Sequence, residues 1–269
     1  MKIAILLFSI FSFITRASAN EALKQKLIQT KFPNNRTLKV TSHPDYAPVV
    51  WIDHKDKKMK GIALDLLRLI LDEVEVKVES VNVNSWGRAQ EEVRVGRVDM
   101  LLPPYKTSDR EKVYAFQKAP FLMDDTVIFV KRGRPFYFDK YDHLVGKKGV
   151  SIINDSFGQE FDNFSKKKLN MTRLTKTAQC FEFLLKDRAD YFVAGLNAGL
   201  VIARKMKIND EIDILPTRVV STGMYFAISK ASKWANQELL EYINTRVAQM
   251  HEDGTLDRLQ RENYELLSR

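Results

Sequence analysis

The chain has 269 residues, 43 Lys+Arg against 34 Asp+Glu for a formal net charge of +9, 45% hydrophobic content and one cysteine. A disordered chain carries fewer large apolar residues, a disulfide-built scaffold needs paired cysteines, and a polytopic membrane protein needs apolar runs of roughly 20 residues. What remains is a soluble globular protein of one large domain or two small ones, whose basic excess forms no Arg/Lys stripe with interleaved aromatics of the kind that binds nucleic acid.

Residues 1–19 read as a cleaved export signal, with Lys2, an apolar stretch from Ile3 to Ile14, and Ala17-Ser18-Ala19 as a small-x-small cleavage point. The stretch is too short to span about 30 Å of hydrocarbon. Asn20, not a cysteine, follows the cleavage point, so a freely soluble periplasmic protein is expected rather than an anchored one. Cleavage removes Lys2 and Arg16 and lowers the charge by two. Cys180 sits beside apolar positions of a helical segment and reads as a buried, inert thiol.

From residue 37 short β-branched runs alternate with helical periodicities, the pattern of an α/β protein. Expected in order are a strand at Leu38–Ser42, a helix at Ile62–Glu75, a strand at Lys77–Val83, a helix at Trp86–Arg94, a strand at Val98–Leu102, a short helix at Ser108–Tyr114 and a strand at Thr126–Lys131. After Arg132-Gly133-Arg134-Pro135 the alternation restarts. Strands are expected at Gly149–Ile153, Met171–Leu174, Asp190–Ala194 and Ile212–Leu215, with helices at Phe157–Lys168, Thr177–Lys186 and Ala198–Met206 between them. A further strand at Gly223–Ser229 precedes an amphipathic helix bearing Leu239, Ile243, Val247 and Met250, and Gly254 separates that from a last helix ending near Tyr264.

The sequence holds no G-x-S-x-G elbow, Walker A loop, G-x-G-x-x-G or H-E-x-x-H, and its four histidines are scattered, so no metal, cofactor or catalytic residue is assigned. The acidic pair Asp124-Asp125 reads as solvated by default.

A series of segments in fixed order carries a family resemblance. These are Ser42-His43-Pro44-Asp45-Tyr46-Ala47-Pro48, Gly61-Ile62-Ala63-Leu64-Asp65, Gly96-Arg97-Val98-Asp99-Met100, Thr107-Ser108-Asp109-Arg110, Tyr114-Ala115-Phe116, Pro120-Phe121, Ser156-Phe157-Gly158, Arg188-Ala189-Asp190, Thr222-Gly223-Met224, Ser229-Lys230 and Glu252-Asp253-Gly254-Thr255-Leu256. Together, over residues 37–266, they resemble the periplasmic solute-binding proteins of the polar amino-acid type, the extracellular solute-binding proteins of family 3. The resemblance implies a two-lobe α/β fold of the type II periplasmic-binding kind, with hinge crossovers near Leu122–Asp125 and Val219–Thr222. Residues 20–122 and 222–269 would form one lobe and 123–221 the other, with ligand bound between them.

By the same resemblance Arg110 clamps a ligand carboxylate through its guanidinium fork. There is independent support: Thr107 or Ser108 reads as an N-cap, placing Arg110 in a first helical turn where the dipole disfavours a cation by roughly 0.3–1 kcal/mol unless an anion joins it. Tyr46, Trp51 and Trp86 are candidates for an aromatic wall, Tyr105 and Thr107 for the carboxylate pocket, and Ser156 for a hydroxyl donor at a helix start. Phe157, Gly195 and Asn197 complete the candidate set. Departures from the family accompany these: its ammonium-holding aspartate is Gly195 here, His43 replaces a frequent carboxylate, and Leu102 and Pro103 replace hydroxyl residues. The expected ligand is therefore a small solute with a carboxylate or other anionic group, captured by a monomer for an ABC permease or a membrane sensor. An exported dehydratase of cyclic dienyl carboxylates on the same fold is the alternative, for which Asp155 and Glu160 are merely near in sequence.

Overall fold

The computed structural model describes residues 19–268. The export signal expected at residues 1–19 falls, Ala19 apart, outside the described residues. After a helical segment at residues 19–29, the first lobe runs β1 (Thr37–Ser42), β2 (Asp45–Tyr46), β3 (Val50–Ile52), β4 (Met59–Lys60), α1 (Ile62–Asp72), β5 (Lys77–Ser80), α2 (Trp86–Arg94), β6 (Met100–Leu102), α3 (Ser108–Val113) and β7 (Tyr114–Phe116). Strand β8 (Leu122–Lys131) carries the chain into the second lobe. There follow β9 (Lys148–Ile152), α4 (Gln159–Lys168), β10 (Asn170–Leu174), α5 (Thr177–Leu185), β11 (Tyr191–Gly195), α6 (Leu196–Met206) and β12 (Ile212–Ile214). Strand β13 (Val220–Met224) returns to β14 (Ala227–Ser229), α7 (Gln237–Glu252) and α8 (Thr255–Ser268).

Local chemistry accounts for the element ends. Helix α1 buries Ile62, Leu66, Leu67, Ile70 and Leu71 at three- and four-residue spacings, one apolar stripe against the sheet. Helix α2 starts where Ser85 accepts from the Arg88 amide at 3.3 Å, and α7 where Asn236 accepts from Glu238 and Leu239. The expected strand at Gly223–Ser229 is instead two strands, because the Gln117 side chain takes the Phe226 amide at 2.8 Å and interrupts the ladder. The small antiparallel sheet β2–β3–β4 and strand β7 went unanticipated, their two- and three-residue runs being too short for a period to show.

The lobe-one sheet has the order β5-β1-β6-β14-β7, with β1 parallel to both β5 and β6. The lobe-two sheet has the order β10-β9-β11-β8-β12. Residues of β8 alternate between two cores, Val127 and Phe129 facing Phe181 and Phe192 while Ile128 and Val130 face Phe157, Phe161 and Tyr191. Cys180 is fully buried among the first set, its thiol pushed up to about 12 by burial, so it is an inert thiol. The lobe-one core gathers α1, α7 and α8 around Trp234, Phe226 and Ile243, and takes in Leu27 from the N-terminal helical segment.

The two passages between lobes are one antiparallel ribbon, β8 against β13 from Leu122↔Met224 to Thr126↔Val220. This ribbon fixes where the free ends of the parallel strands meet. The segments leaving β1, β6 and β9 carry His43, Tyr105 and Asp155, and β11 ends at Gly195, so a crevice forms at the carboxyl ends of strands from both sheets.

Helix α1 begins at Gly61, whose φ of +131° only glycine adopts readily, and a Cβ there would lie 2.4 Å from the Val49 carbonyl oxygen. Gly61→Ala is expected to cost about 2–4 kcal/mol of unfolding free energy, combining backbone strain and overpacking. Urea denaturation reads this as a lowered midpoint; an unchanged midpoint contradicts it.

Candidate functional site

The crevice is built around Arg110. Thr107 caps α3, its Oγ1 accepting from the Arg110 amide at 3.3 Å, so the arginine does lie in a first helical turn. The residue is only 9% exposed. Nη1 donates to the Tyr105 carbonyl at 3.0 Å, Nη2 donates to Gln90 Oε1 at 3.1 Å, and the guanidinium carbon stands 5.6 Å from the centroid of the Trp86 ring. These partners are neutral, and Arg110 forms no ion pair among the described residues. Burial pulls its pKa down while Asp155 pulls it up. A guanidinium withdrawn from water with only neutral acceptors has unsatisfied attraction for an anion.

Arg110 lines a cavity of about 20 Å³ together with His43, Tyr46, Trp86, Pro103, Tyr105 and Asp155. The His43 ring lies 5.8 Å from that of Tyr46 and 5.7 Å from that of Trp86. Nδ1 of His43 accepts from the Asp45 amide at 3.0 Å, and burial lowers its pKa to about 4, so the ring is neutral at physiological pH. Past Gln90 and Asn154 a second cavity, about 570 Å³, opens on the same Arg110 and Asp155 and extends toward Arg94, Asp162 and Lys166.

Both lobes contribute. Gln90 donates to the Asn154 carbonyl at 3.0 Å, the Ser108 amide donates to Gln159 Oε1 at 3.2 Å, and Tyr264 donates to Asn197 Oδ1 at 3.0 Å. The hydroxyls of Tyr46 and Tyr105, 2.9 Å apart, converge on Asp124 Oδ2 of β8. Asp124 is 3% exposed and its pKa is raised by burial, so the default of a solvated acidic pair fails for it. It holds for Asp125, which meets Arg218 at the surface. Gly195 makes this convergence possible: a Cβ there would lie 2.6 Å from Asp124 Oδ2 and 2.8 Å from the Tyr46 hydroxyl.

Asp155 enters from the loop after β9. Its Oδ1 accepts from the Ser156 amide at 3.1 Å, and its pKa is raised to about 6, chiefly by burial and against the pull of Arg110. Ser156 hydrogen-bonds Asp162 through its hydroxyl, and the Phe157 amide donates to Asp162 Oδ1 at 2.9 Å. The donors ahead of α4 are thus occupied by a carboxylate from α4 itself.

Of the residues singled out in the sequence, Arg110, Tyr46, Tyr105 and Trp86 come together at the small cavity, Thr107 and Ser156 border the larger one, and Gly195 sits behind Tyr46. Three lie elsewhere. Trp51 is buried in β3, paired with Asp45 and Lys60; Phe157 packs in a lobe-two core; Asn197 faces Tyr264 beside α8. Gln90, Asp124 and Asp155 were missed as site residues. Among the described residues no group of three or more His, Cys, Asp or Glu side chains is placed to hold a metal ion.

The bacterial extracellular solute-binding proteins, family 3, match residues 38–265 of this sequence. The chain belongs to that family. Solved structures with the same fold include a histidine kinase sensor domain with similarity to periplasmic binding proteins, at TM-score 0.73 and 20% identity over 86% of this chain and 97% of that one. The amino acid ABC transporter substrate-binding protein AbpA from Streptococcus pneumoniae, bound to L-arginine, superposes with TM-score 0.70 at 19% identity, covering 92% and 98%. The ancestral amino acid-binding protein AncCDT-1, a precursor of cyclohexadienyl dehydratase, gives TM-score 0.66 at 23% identity, covering 84% and 94%. At these identities the likeness is one of fold. A search among curated proteins found no match.

In this solute-binding protein the ionised Asp155 is a cost carried by the fold. Because the folded chain holds the Asp155 proton more tightly than the unfolded chain, stability is lost as pH rises from about 4 through about 6. Asp155→Asn should therefore raise the melting temperature by about 2–6 °C at pH 7.5 and by much less at pH 4. A gain of equal size at both pH values, or a loss at pH 7.5, would contradict the assignment.

Proposed function

We propose that this protein is a periplasmic receptor that captures a small carboxylate-bearing solute between its lobes and presents it to an ABC permease. One observation carries the reading: Arg110 is desolvated at the junction of the lobes, faces the crevice, and is held by neutral acceptors alone. A carboxylate can take two parallel N–H···O bonds from a guanidinium, and within a site of low polarity such a pair is worth far more than in water. The aromatic-walled cavity at Arg110 has room for about one water, so a ligand fills that side of the crevice only when the Gln90–Asn154 and Ser108–Gln159 contacts part, while the larger cavity leaves Arg110 approachable from its other side. Capture and lobe movement are therefore coupled, which is the property a permease reads.

The dehydratase reading gains one observation, an acid in the crevice beside Arg110. With its pKa at about 6, however, Asp155 is about nine-tenths ionised at pH 7, which suits it poorly to donate a proton and well to attract a cation. Purified protein should leave arogenate and prephenate unchanged; turnover of either, lost in Asp155→Asn, would establish the enzyme.

The binding reading is tested by thermal shift across amino acids, keto acids and dicarboxylates. A ligand at a hundredfold excess over Kd adds about 2.7 kcal/mol. Arg110→Ala should abolish the shift given by the stabilising compound, a loss of about a hundredfold or more in affinity. Full stabilisation retained in that variant would sink the assignment.

A further inference from the structure

We infer that Gln90 is a latch: when no ligand is bound it fills an acceptor place on Arg110 and ties that arginine's lobe to lobe two. This goes beyond the capture of a solute to how the lobes are held before capture, and it stands on contacts within the chain. Gln90 lies on α2, where the Tyr114 hydroxyl donates to its carbonyl at 2.7 Å and fixes the backbone. Its side-chain amide has two ends and two partners. Oε1 accepts from Arg110 Nη2 at 3.1 Å, and Nε2 donates to the Asn154 carbonyl at 3.0 Å. A guanidinium can only donate and a carbonyl can only accept, so the amide fits one way round. Arg110 therefore orients the group that grips lobe two.

The close approach at this point is built into both lobes. Gly87 stands three residues before Gln90, on the same face of α2, and a Cβ there would lie 2.6 Å from Asn154 Nδ2. Glycine inside a helix costs stability relative to alanine, and here it lets α2 come against the loop after β9. Asn154 itself has a φ of +61°, a left-handed backbone that asparagine tolerates better than most residues. One residue of lobe two thus meets α2 twice, its side chain at Gly87 and its carbonyl at Gln90. A carboxylate arriving at Nη2, as proposed above, takes the place of Oε1, and the amide is then no longer aimed at Asn154. Gln90 is in this sense a competitor of the ligand for Arg110, and capture undoes one lobe contact as it forms its own.

The Ser108 amide reports the parting of the lobes. As the first residue of α3 it has no partner within the helix, and it donates to Gln159 Oε1 across the crevice at 3.2 Å. Its hydrogen exchange follows the population in which the lobes have parted, whereas the Glu111 amide, bonded to the Thr107 carbonyl at 2.9 Å, follows fraying of α3 itself. Exchange is measured by NMR without ligand on the purified protein, on Gln90→Leu and on Gln90→Glu, with melting temperature confirming that each variant is folded. Gln90→Leu removes both bonds; Gln90→Glu keeps an acceptor for Arg110 and loses the donor to Asn154. Both variants should speed exchange at Ser108 by about fivefold or more, the worth of one hydrogen bond, and leave Glu111 unchanged. Unchanged exchange at Ser108 would overturn the latch. Equal acceleration at Ser108 and Glu111 would overturn it too, by making Gln90 a support of α3 alone. Acceleration in Gln90→Leu without acceleration in Gln90→Glu would likewise overturn it, since the bond to Asn154 would not be what holds the lobes. None of these outcomes touches the carboxylate reading of Arg110, which the thermal-shift screen tests separately.

Discussion

A guanidinium held away from water with no anion upon it is the constraint around which this molecule is arranged. Arg110 is fixed by a helix cap at Thr107, by a carbonyl at Tyr105, by a side-chain amide from α2 at Gln90 and by the face of Trp86. Each of these belongs to lobe one, so the positive group is in place whatever lobe two does. Burial holds its guanidinium away from water, and the approach of an anion relieves that desolvation. The arginine is thus held wholly by one lobe, and the carboxylate that shares its cavities, Asp155, belongs to the other.

Lobe two answers with carboxylates. Asp124 in the hinge strand takes two tyrosine hydroxyls, Asp162 satisfies the donors ahead of α4, and Asp155 alone is left facing the crevice without a side-chain partner. The glycine at 195 is part of the same arrangement, since it clears the space in which Asp124 and Tyr46 meet. The space that a side chain at 195 would take is therefore occupied by a neighbour from a different strand. The hinge ribbon couples these groups, because Asp124 lies on it, opposite Thr222, and its tyrosine partners lie in lobe one.

Most of the element order was legible from periodicity, because helices such as Trp86–Arg94 combine a clean cap at Ser85 with an apolar stripe. Sequence patterns failed where one side chain overrode the local signal. The run from Gly223 to Ser229 has no break in its hydrophobic pattern, and a glutamine more than a hundred residues away divides it. The site was half legible. Arg110, Tyr46, Trp86 and Tyr105 stand out in the sequence because ordered segments flank them, and they line one cavity. Asp124 reads as half of an exposed acidic pair, and only the folded ribbon buries one carboxylate and exposes the other. Asp155 lies 45 positions beyond Arg110, and no local spacing announces that the loop after β9 brings it to the same cavity. Phe157 and Asn197 lie on segments of the same kind, but one side chain packs in the lobe-two core and the other meets Tyr264 of α8.

The most direct test of the account is a crystal structure of the protein with the tightest-binding carboxylate solute. Ligand is expected between the lobes with both carboxylate oxygens within about 3 Å of the Arg110 guanidinium nitrogens, displacing Gln90 Oε1 or lying beside it. A ligand held elsewhere, with Arg110 still bound only by Gln90 and Tyr105, would contradict it.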